Sequence, residues 1–276
     1  MSATNQTNPM SAIDQTSSKN TTGQTSSMSA TDQTSPMSLT LLNLLPSELN
    51  TYGDAGNLLT IRKRCEWRGI AVEQIDFEAG SDPAMLENVD LILGGGGQES
   101  SLAQAQAEIL RLAPYLHQLI EQEVPALTIC VSFQLLGEYL ETAAGEHLEG
   151  AGIFSLHTVS ETERKIGNIV ISNSDFGEIL GYENHLGRTY LHEGQEPLAQ
   201  VVSGFGNNGT DGTEGARYKQ AFGTYLHGPL LPKNPRLADY LIATALKRHY
   251  GQPIELALLP DPWIEQARTV IKSRPQ

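Results

Sequence analysis

Cysteine is scarce in this chain. Two of its 276 residues are cysteine, Cys65 and Cys130, and they lie far apart. Two thiols in a chain of this size do not make a disulfide framework. Neither has a CxxC or HxxxH neighbour, so neither points to a metal site. Positive charge is also sparse: 18 Lys and Arg stand against 32 Asp and Glu, a net charge of −14. Such a surface repels phosphate backbones, which argues against a nucleic-acid partner. Long apolar runs are missing as well. The longest are of the kind of Leu91-Ile92-Leu93, far short of the roughly 18–20 residues that cross a bilayer, and they read as buried strands. The N-terminus has no apolar signal segment, so the expected location is the cytoplasm.

What is present begins with a biased segment. Met10-Ser-Ala-Ile-Asp-Gln-Thr16 recurs as Met28-Ser-Ala-Thr-Asp-Gln-Thr34, and Ser2 to Thr7 is a near copy. Residues 1–37 are rich in Ser, Thr, Asn and Gln and have no aromatic residue. They cannot bury enough apolar area to offset the entropy of ordering, so a disordered tail is expected there. One domain is expected over 38–276.

Within that domain, apolar runs alternate with helical patterns. Strands are expected at Leu39–Leu45, Ile70–Ile75, Leu91–Leu93 and Ala126–Ile129. Helices are expected at Gly53–Trp67, at Ser101–Gln122 with Pro114 as a kink or break, and at Phe133–Leu140. The second half is richer in strands: His157–Ser160, Ile166–Ser172, Leu198–Val202 and Ala221–Tyr225. Helices then follow at Pro235–Tyr250 and Pro262–Lys272, and Gly204–Gly215 reads as a polar surface excursion. Strands alternating with helices predict an α/β fold, a mostly parallel central sheet flanked by helices.

Four places could carry chemistry. Cys130 sits where the apolar strand Ala126–Ile129 gives way to a helix. A sharp turn there lifts the side chain above the carboxyl edge of the sheet. The following N–H groups at the helix start favour negative charge on sulfur or on an oxyanion. A buried structural cysteine is the competing reading. His227, at the tip of Ala221–Tyr225 and before Gly228-Pro229, is placed to serve such a nucleophile as general base. Gly94 to Gly97, directly after a strand, allow close backbone approach to a substrate and offer oxyanion donors. The run lacks the Gly-Lys-Ser/Thr ending of a phosphate loop. Arg164 and Arg188 carry the fork that suits the α-carboxylate of an amino acid, unless they are ordinary surface charges. Cys65, on the apolar face of its helix with Leu58 and Ile61, reads as a packed core thiol.

Taken together, several stretches resemble one family: Leu44-Leu45-Pro46, Tyr52 to Asn57, Gly94 to Gln98, Cys130 to Gly137, Gly181 to Tyr190 and Gly223 to Pro229. They are similar to the glutaminase subunits, GatD type, of lipid II isoglutaminyl synthase. These form a CobB/CobQ-like branch of the class I glutamine amidotransferases, with a flavodoxin-like fold. The resemblance implies that Cys130 attacks the side-chain amide of L-glutamine and forms a thioester while ammonia leaves, with His227 moving the protons. Gln134 belongs to the matched stretch after the nucleophile. Val131 N–H and an amide of the glycine loop, with Gly95 and Gly96 at its centre, would hold the oxyanion. Arg164 matches the glutamine-binding arginine, and Arg188 lies in another typical stretch.

The resemblance also implies a partner, a MurT-type, Mur-ligase-like subunit forming a heterodimer. ATP and Mg would sit on that subunit, which amidates D-glutamate of the lipid II stem peptide near the inner face of the membrane. No cofactor or metal is expected in this chain. Two features depart from the pattern. Val131-Ser132 stands where the family has Gly-Gly, and a β-branched residue in a strained elbow is costly. Pro229 stands two residues after His227, where most class I enzymes place an acid. Asp211, Glu214 and Asp239 are the acids of this chain that the fold could bring to His227; otherwise the partner supplies the third group and the isolated chain is poorly active. Two other readings stay open: an amidotransferase with a cobyrinic-acid-type acceptor, and a catalytically silent scaffold.

Overall fold

The structure is a computed structural model and describes residues 36–51 and 53–273. The expected N-terminal tail lies, up to residue 35, outside the described residues. Met37 is buried in the core and its carbonyl accepts the Ala71 N–H, so the ordered chain begins slightly earlier than composition suggests.

The first layer is a six-stranded sheet. Its strands are β1 (Ser38–Leu44), β2 (Ala71–Phe77), β3 (Leu91–Gly94), β4 (Ala126–Ile129), β11 (Ala216–Tyr218) and β12 (Ala221–Thr224), in the order β11-β12-β4-β3-β1-β2. All pairings are parallel except the antiparallel edge strand β11. Every residue of β3, β4 and β12 is buried, as expected of strands covered on both faces. The helices α1 (Ala55–Glu66), α2 (Glu99–Glu121) and α4 (Pro235–Tyr250) supply that cover. α4 begins with Pro at its first position and ends at Gly251 in the left-handed conformation, the usual punctuation of a helix. Pro114 sits inside α2 without dividing it.

The chain order of the parallel strands reverses between β1 and β3. Open α/β sheets leave a crevice at such a switch point, outside the carboxyl ends of the strands. The segments that follow β1, β3, β4 and β12 all emerge there.

A second sheet stands beside the first. It contains β5 (Tyr139–Glu141), β6 (His147–Glu149), β7 (Leu156–Asn173), β8 (Gly177–Leu191), β9 (Ala199–Ser203), β10 (Thr213–Glu214) and β13 (Leu226–His227). β7 runs through the two segments expected as separate strands, with an irregularity between Ser160 and Lys165. β8 reads poorly as a strand because Gly181 and Gly187 interrupt its pattern. Both are packing requirements. A Cβ on Gly187 would stand 2.3 Å from Gln134 Nε2 and 2.8 Å from the Tyr225 hydroxyl.

The helix expected over Phe133–Leu140 is corrected to α3, Val131–Leu135. After Gly137 the chain enters β5, which pairs in parallel with β7. Tertiary pairing overrides the helical pattern there, with Glu138 N–H donating to Leu156 O at 2.8 Å. Gly204–Gly215 is not a loose excursion. Asn207 is buried and bonds Gly215 through both its amide atoms at 2.8 and 3.0 Å. A final helix, α5 (Pro262–Lys272), lies on the surface.

Candidate functional site

Cys130 occupies the turn between β4 and α3 with φ 55° and ψ −107°. This is a costly conformation for a residue with a Cβ. It persists because the chain is held on both sides: Cys130 N–H donates to Thr224 O at 2.9 Å, and Gln134 N–H donates to Cys130 O at 2.9 Å. The strain therefore sits on Cys130 itself. Val131 is the first residue of α3 and is not among the residues with positive φ. The anticipated cost of a β-branched residue at the elbow does not arise, because a helical φ suits valine. As the first N–H of a helix, that of Val131 has no carbonyl ahead of it to bond, and Val131 lines the cavity beside the cysteine. Ser132, the other departure from Gly-Gly, is fully buried; its hydroxyl accepts Ile129 N–H at 2.8 Å and ties the elbow together.

His227 is fully buried in β13, a two-residue strand paired to β8 with Tyr182 opposite it. Its neighbour is an acid that the sequence gives little reason to single out. Asp54, just before α1, places Oδ2 3.4 Å from His227 Nδ1 and accepts Gly96 N–H at 2.7 Å. Asp54 is a side chain buried to 6% exposure, and its Oδ1 has no hydrogen-bond partner. It does not cap its own helix; Asn50 Oδ1 takes the Ala55 N–H instead. Burial alone would lower the His227 pKa. The Asp54 carboxylate and Cys130 outweigh it and hold the imidazole up at about 10. The ring sits between a carboxylate and a sulfur, both of which favour its protonated form.

The three acids considered from sequence are engaged elsewhere. Glu214 accepts Tyr225 N–H at 2.7 Å and the Thr224 hydroxyl at 3.1 Å. Asp239 binds Arg64 and Arg68. Asp211 binds Asn208 and Thr213. The legible hint of Asp54 was its place in the family-like sequence stretch Tyr52 to Asn57.

The glycine loop is distributed differently from expectation. A Cβ on Gly95 would meet Leu49 O at 2.3 Å, and one on Gly96 would meet His227 Cε1 at 2.7 Å and Cys130 Cβ at 3.5 Å. Gly96 therefore backs the cysteine–histidine pair and Gly95 the Asp54 side chain, and the amide of Gly96 is already given to Asp54. Gly97 is the glycine of this loop that faces the cavity.

That cavity has a volume of about 490 Å³ and is bounded by Cys130, Val131, Gln134, Arg164, Asn184 and His185, among others. Arg164, on β7, donates to Asn184 Oδ1 at 2.9 Å. Gln134 Nε2 donates to the Tyr225 hydroxyl at 3.0 Å, which also bonds Thr189 at 2.6 Å. His185 stacks on the Tyr225 ring with centroids 3.8 Å apart, and burial pushes its pKa down. Arg188 is not brought to the cavity. It is buried, and its guanidinium is spent on Glu163 O at 2.6 Å, Leu186 O at 3.0 Å and Glu161 at 3.4 Å. Arg188 holds the β7–β8 irregularity closed, a structural task for the fork expected to meet a ligand. Cys65 is a core thiol, its pKa pushed up to about 12 by burial.

Beneath the cavity, burial pushes the Glu214 carboxyl up to about 8 against the opposing bonds from Tyr225 N–H and Thr224. A carboxyl that binds its proton more tightly folded than unfolded gives stability that is complete below its ordinary pKa near 4.5. That stability is lost as pH rises toward 8. Glu214→Gln is expected to flatten this loss, worth up to about 1.4 kcal/mol per pH unit. Melting temperatures of both proteins from pH 4.5 to 8.5 check it; parallel curves would refute it.

Among the described residues no group of three or more His, Cys, Asp and Glu could hold a metal ion, and no helix is long and apolar enough to cross a membrane. A solved structure described as a glutamine amidotransferase covers 74% of this chain and 98% of its own, with a TM-score of 0.52 at 15% identity, a likeness of fold. In sequence, the chain is 39% identical over 236 residues to the lipid II isoglutaminyl synthase (glutamine-hydrolyzing) subunit GatD of Staphylococcus aureus, covering 86% of this chain and 96% of that protein. It is 39% identical to the same-named subunit of Streptococcus pneumoniae, covering 81% and 86%. A probable cobyric acid synthase of Methanothermobacter thermautotrophicus is 32% identical over 49% of this chain and 29% of its own length. Residues 41–235 match the model of the CobB/CobQ-like glutamine amidotransferase domain. With a cysteine elbow, a buried histidine and the flavodoxin-like strand order already in place, the chain belongs to the CobB/CobQ-like glutamine amidotransferase family.

Proposed function

We propose that this chain is the glutaminase subunit of a lipid II isoglutaminyl synthase. It hydrolyses L-glutamine and passes ammonia to a MurT-type, Mur-ligase-like subunit that carries ATP and Mg. The observation that carries the reading is the convergence of Cys130, His227 and Asp54, with Cys130 lining the cavity and the other two buried behind it. The likeness to the two GatD subunits over most of the chain supports the acceptor.

In this reading Arg164 holds the α-carboxylate of glutamine, while Gln134, Asn184 and His185 shape the pocket. The sulfur of Cys130 attacks the side-chain carbonyl carbon. The oxyanion meets Val131 N–H at the start of α3 and the amide of Gly97. When the C–N bond breaks, His227 gives its proton to the departing nitrogen and ammonia leaves a thioester behind. Acylation ties up the sulfur, one of the two partners that raise the His227 pKa. The imidazole then becomes the base that takes a proton from the hydrolytic water, and glutamate is released.

The test is ammonia release from glutamine by the chain with and without its Mur-ligase-like partner, beside alkylation by a glutamine-analogue electrophile. Turnover together with labelling of Cys130 is expected. An unlabelled Cys130 and no release from the intact complex would favour a silent scaffold. Arg164→Ala is expected to raise KM for glutamine about 10- to 100-fold, the worth of a charged hydrogen bond, with kcat changed far less. Steady-state kinetics with varied glutamine check it; an unchanged KM would remove Arg164 from the pocket.

A further inference from the structure

α5 is a surface helix with apolar residues on two sides. Ile264 and Ile271 share the body-facing side with Arg268, and polar anchors hold that side down. The Arg268 guanidinium donates to Lys233 O at 2.7 Å, Asn234 Oδ1 at 2.8 Å and Glu178 O at 2.8 Å, and Lys272 pairs with Glu178. Trp263, Ala267 and Val270, spaced i, i+4 and i+7, share another face. Trp263 is 77% exposed and Val270 50% exposed, and the preceding segment leaves Leu258 97% exposed. No residue of α5 is buried; Ile264 and Ile271 are half-covered. Helices in water normally turn the apolar stripe inward. A stripe held outward by ionic anchors marks a surface that something else covers.

The anchors also place it. Lys233, whose carbonyl receives Arg268, donates from Nζ to Gly228 O at 2.9 Å and His227 O at 3.4 Å. The same turn is pinned from the other side by Leu231 N–H donating to Asn57 Oδ1 at 2.8 Å. α5 is thus clamped onto the turn that presents His227.

We propose that the exposed stripe of α5 is the docking surface for the ATP-using synthase subunit, laid into an apolar groove with a basic rim. This rests on the glutaminase-subunit reading above. Charge selects the occupant: the chain carries −14. Both an anionic bilayer and a second copy of this chain would be repelled, whereas a groove edged by Lys or Arg is attracted. A helix presenting i, i+4, i+7 apolar anchors is a standard way to fill such a groove. Through the clamp, docking there bears directly on the turn that holds His227.

The experiment uses the full chain and the Mur-ligase-like subunit from the same organism. Binding is measured by titration calorimetry for wild type, Trp263→Ala with Val270→Asp, and a control substitution of another exposed aromatic, Tyr115→Ala on α2. The double variant is expected to raise Kd at least about 100-fold, the scale of losing two interface anchors, while the control leaves it unchanged. Retained melting temperature and retained alkylation of Cys130 show that the variant is folded. An unchanged Kd overturns the proposal. So does Trp263-dependent self-association, or Trp263-dependent binding to phosphatidylglycerol vesicles, in a chain whose Kd for the synthase subunit is unaltered. A complex that depends on α5 but releases no ammonia upholds the docking surface and defeats the glutaminase reading instead.

Discussion

Cys130→Ala is expected to reduce ammonia release from glutamine by roughly 10⁴-fold or more, the scale on which loss of a nucleophile acts. The other cysteine cannot take its place. Cys65 is fully buried on the core face of α1, and burial raises its pKa to about 12. The substitution should leave the fold intact. Alanine tolerates φ 55° about as poorly as cysteine does, and the elbow's own bonds, Cys130 N–H to Thr224 O and Gln134 N–H to Cys130 O, are backbone bonds. A second readout comes with it. Cys130 is one of the influences holding the His227 pKa near 10, so the variant's imidazole should titrate at lower pH by NMR. Ammonia release kept within tenfold of wild type would place the nucleophile elsewhere.

Asp54→Asn is expected to lower kcat by roughly 10²- to 10⁴-fold, as when the orienting carboxylate of a triad is made neutral. Asparagine keeps an oxygen for Gly96 N–H, so the loop geometry is preserved. The charge beside His227 Nδ1 is lost, and with it the bias toward the productive ring orientation and the support for the imidazolium. Expected together are a fall in kcat, little change in KM for glutamine, and a downward shift of the His227 titration. Asp54→Ala, which also strips the partner from the buried Gly96 N–H, should destabilise as well, by about 1–3 kcal/mol. The two substitutions separate charge from packing. Were Asp54→Asn as active as wild type in the assembled complex, Asp54 would be a loop anchor, and the acid facing His227 would come from the synthase subunit.

The wall of parallel strands was readable in advance because burial on both faces leaves short, uninterrupted apolar runs such as Leu91-Ile92-Leu93 and Ala126-Leu127-Thr128-Ile129. α4 and α5 were readable because Pro stands at the first position of each, and Gly251 stops the former. Cys130 and His227 followed from the same logic, as polar residues at the tips of apolar strands. The second sheet was harder. β8 is broken by glycines whose purpose is to admit Gln134 and Leu226 from elsewhere in the chain, and short β5 owes its existence to pairing with β7 rather than to its own composition. Arg188 had the chemistry of a ligand-binding residue, but three backbone carbonyls within hydrogen-bond reach took its fork.

The sequence by itself determined the parallel sheet, the strand-tip cysteine and histidine, and the shortage of positive charge, since these rest on local pattern and composition. The tertiary structure alone decided which acid faces His227, that Val131 escapes the elbow's strain, that Arg164 rather than Arg188 reaches the cavity, and that α5 turns an apolar stripe outward. Each of these depends on contacts between residues distant in the chain. Asp54 and His227 are separated by most of the domain and meet at 3.4 Å only because β1 and β12 deliver the segments that carry them to the same edge of one sheet.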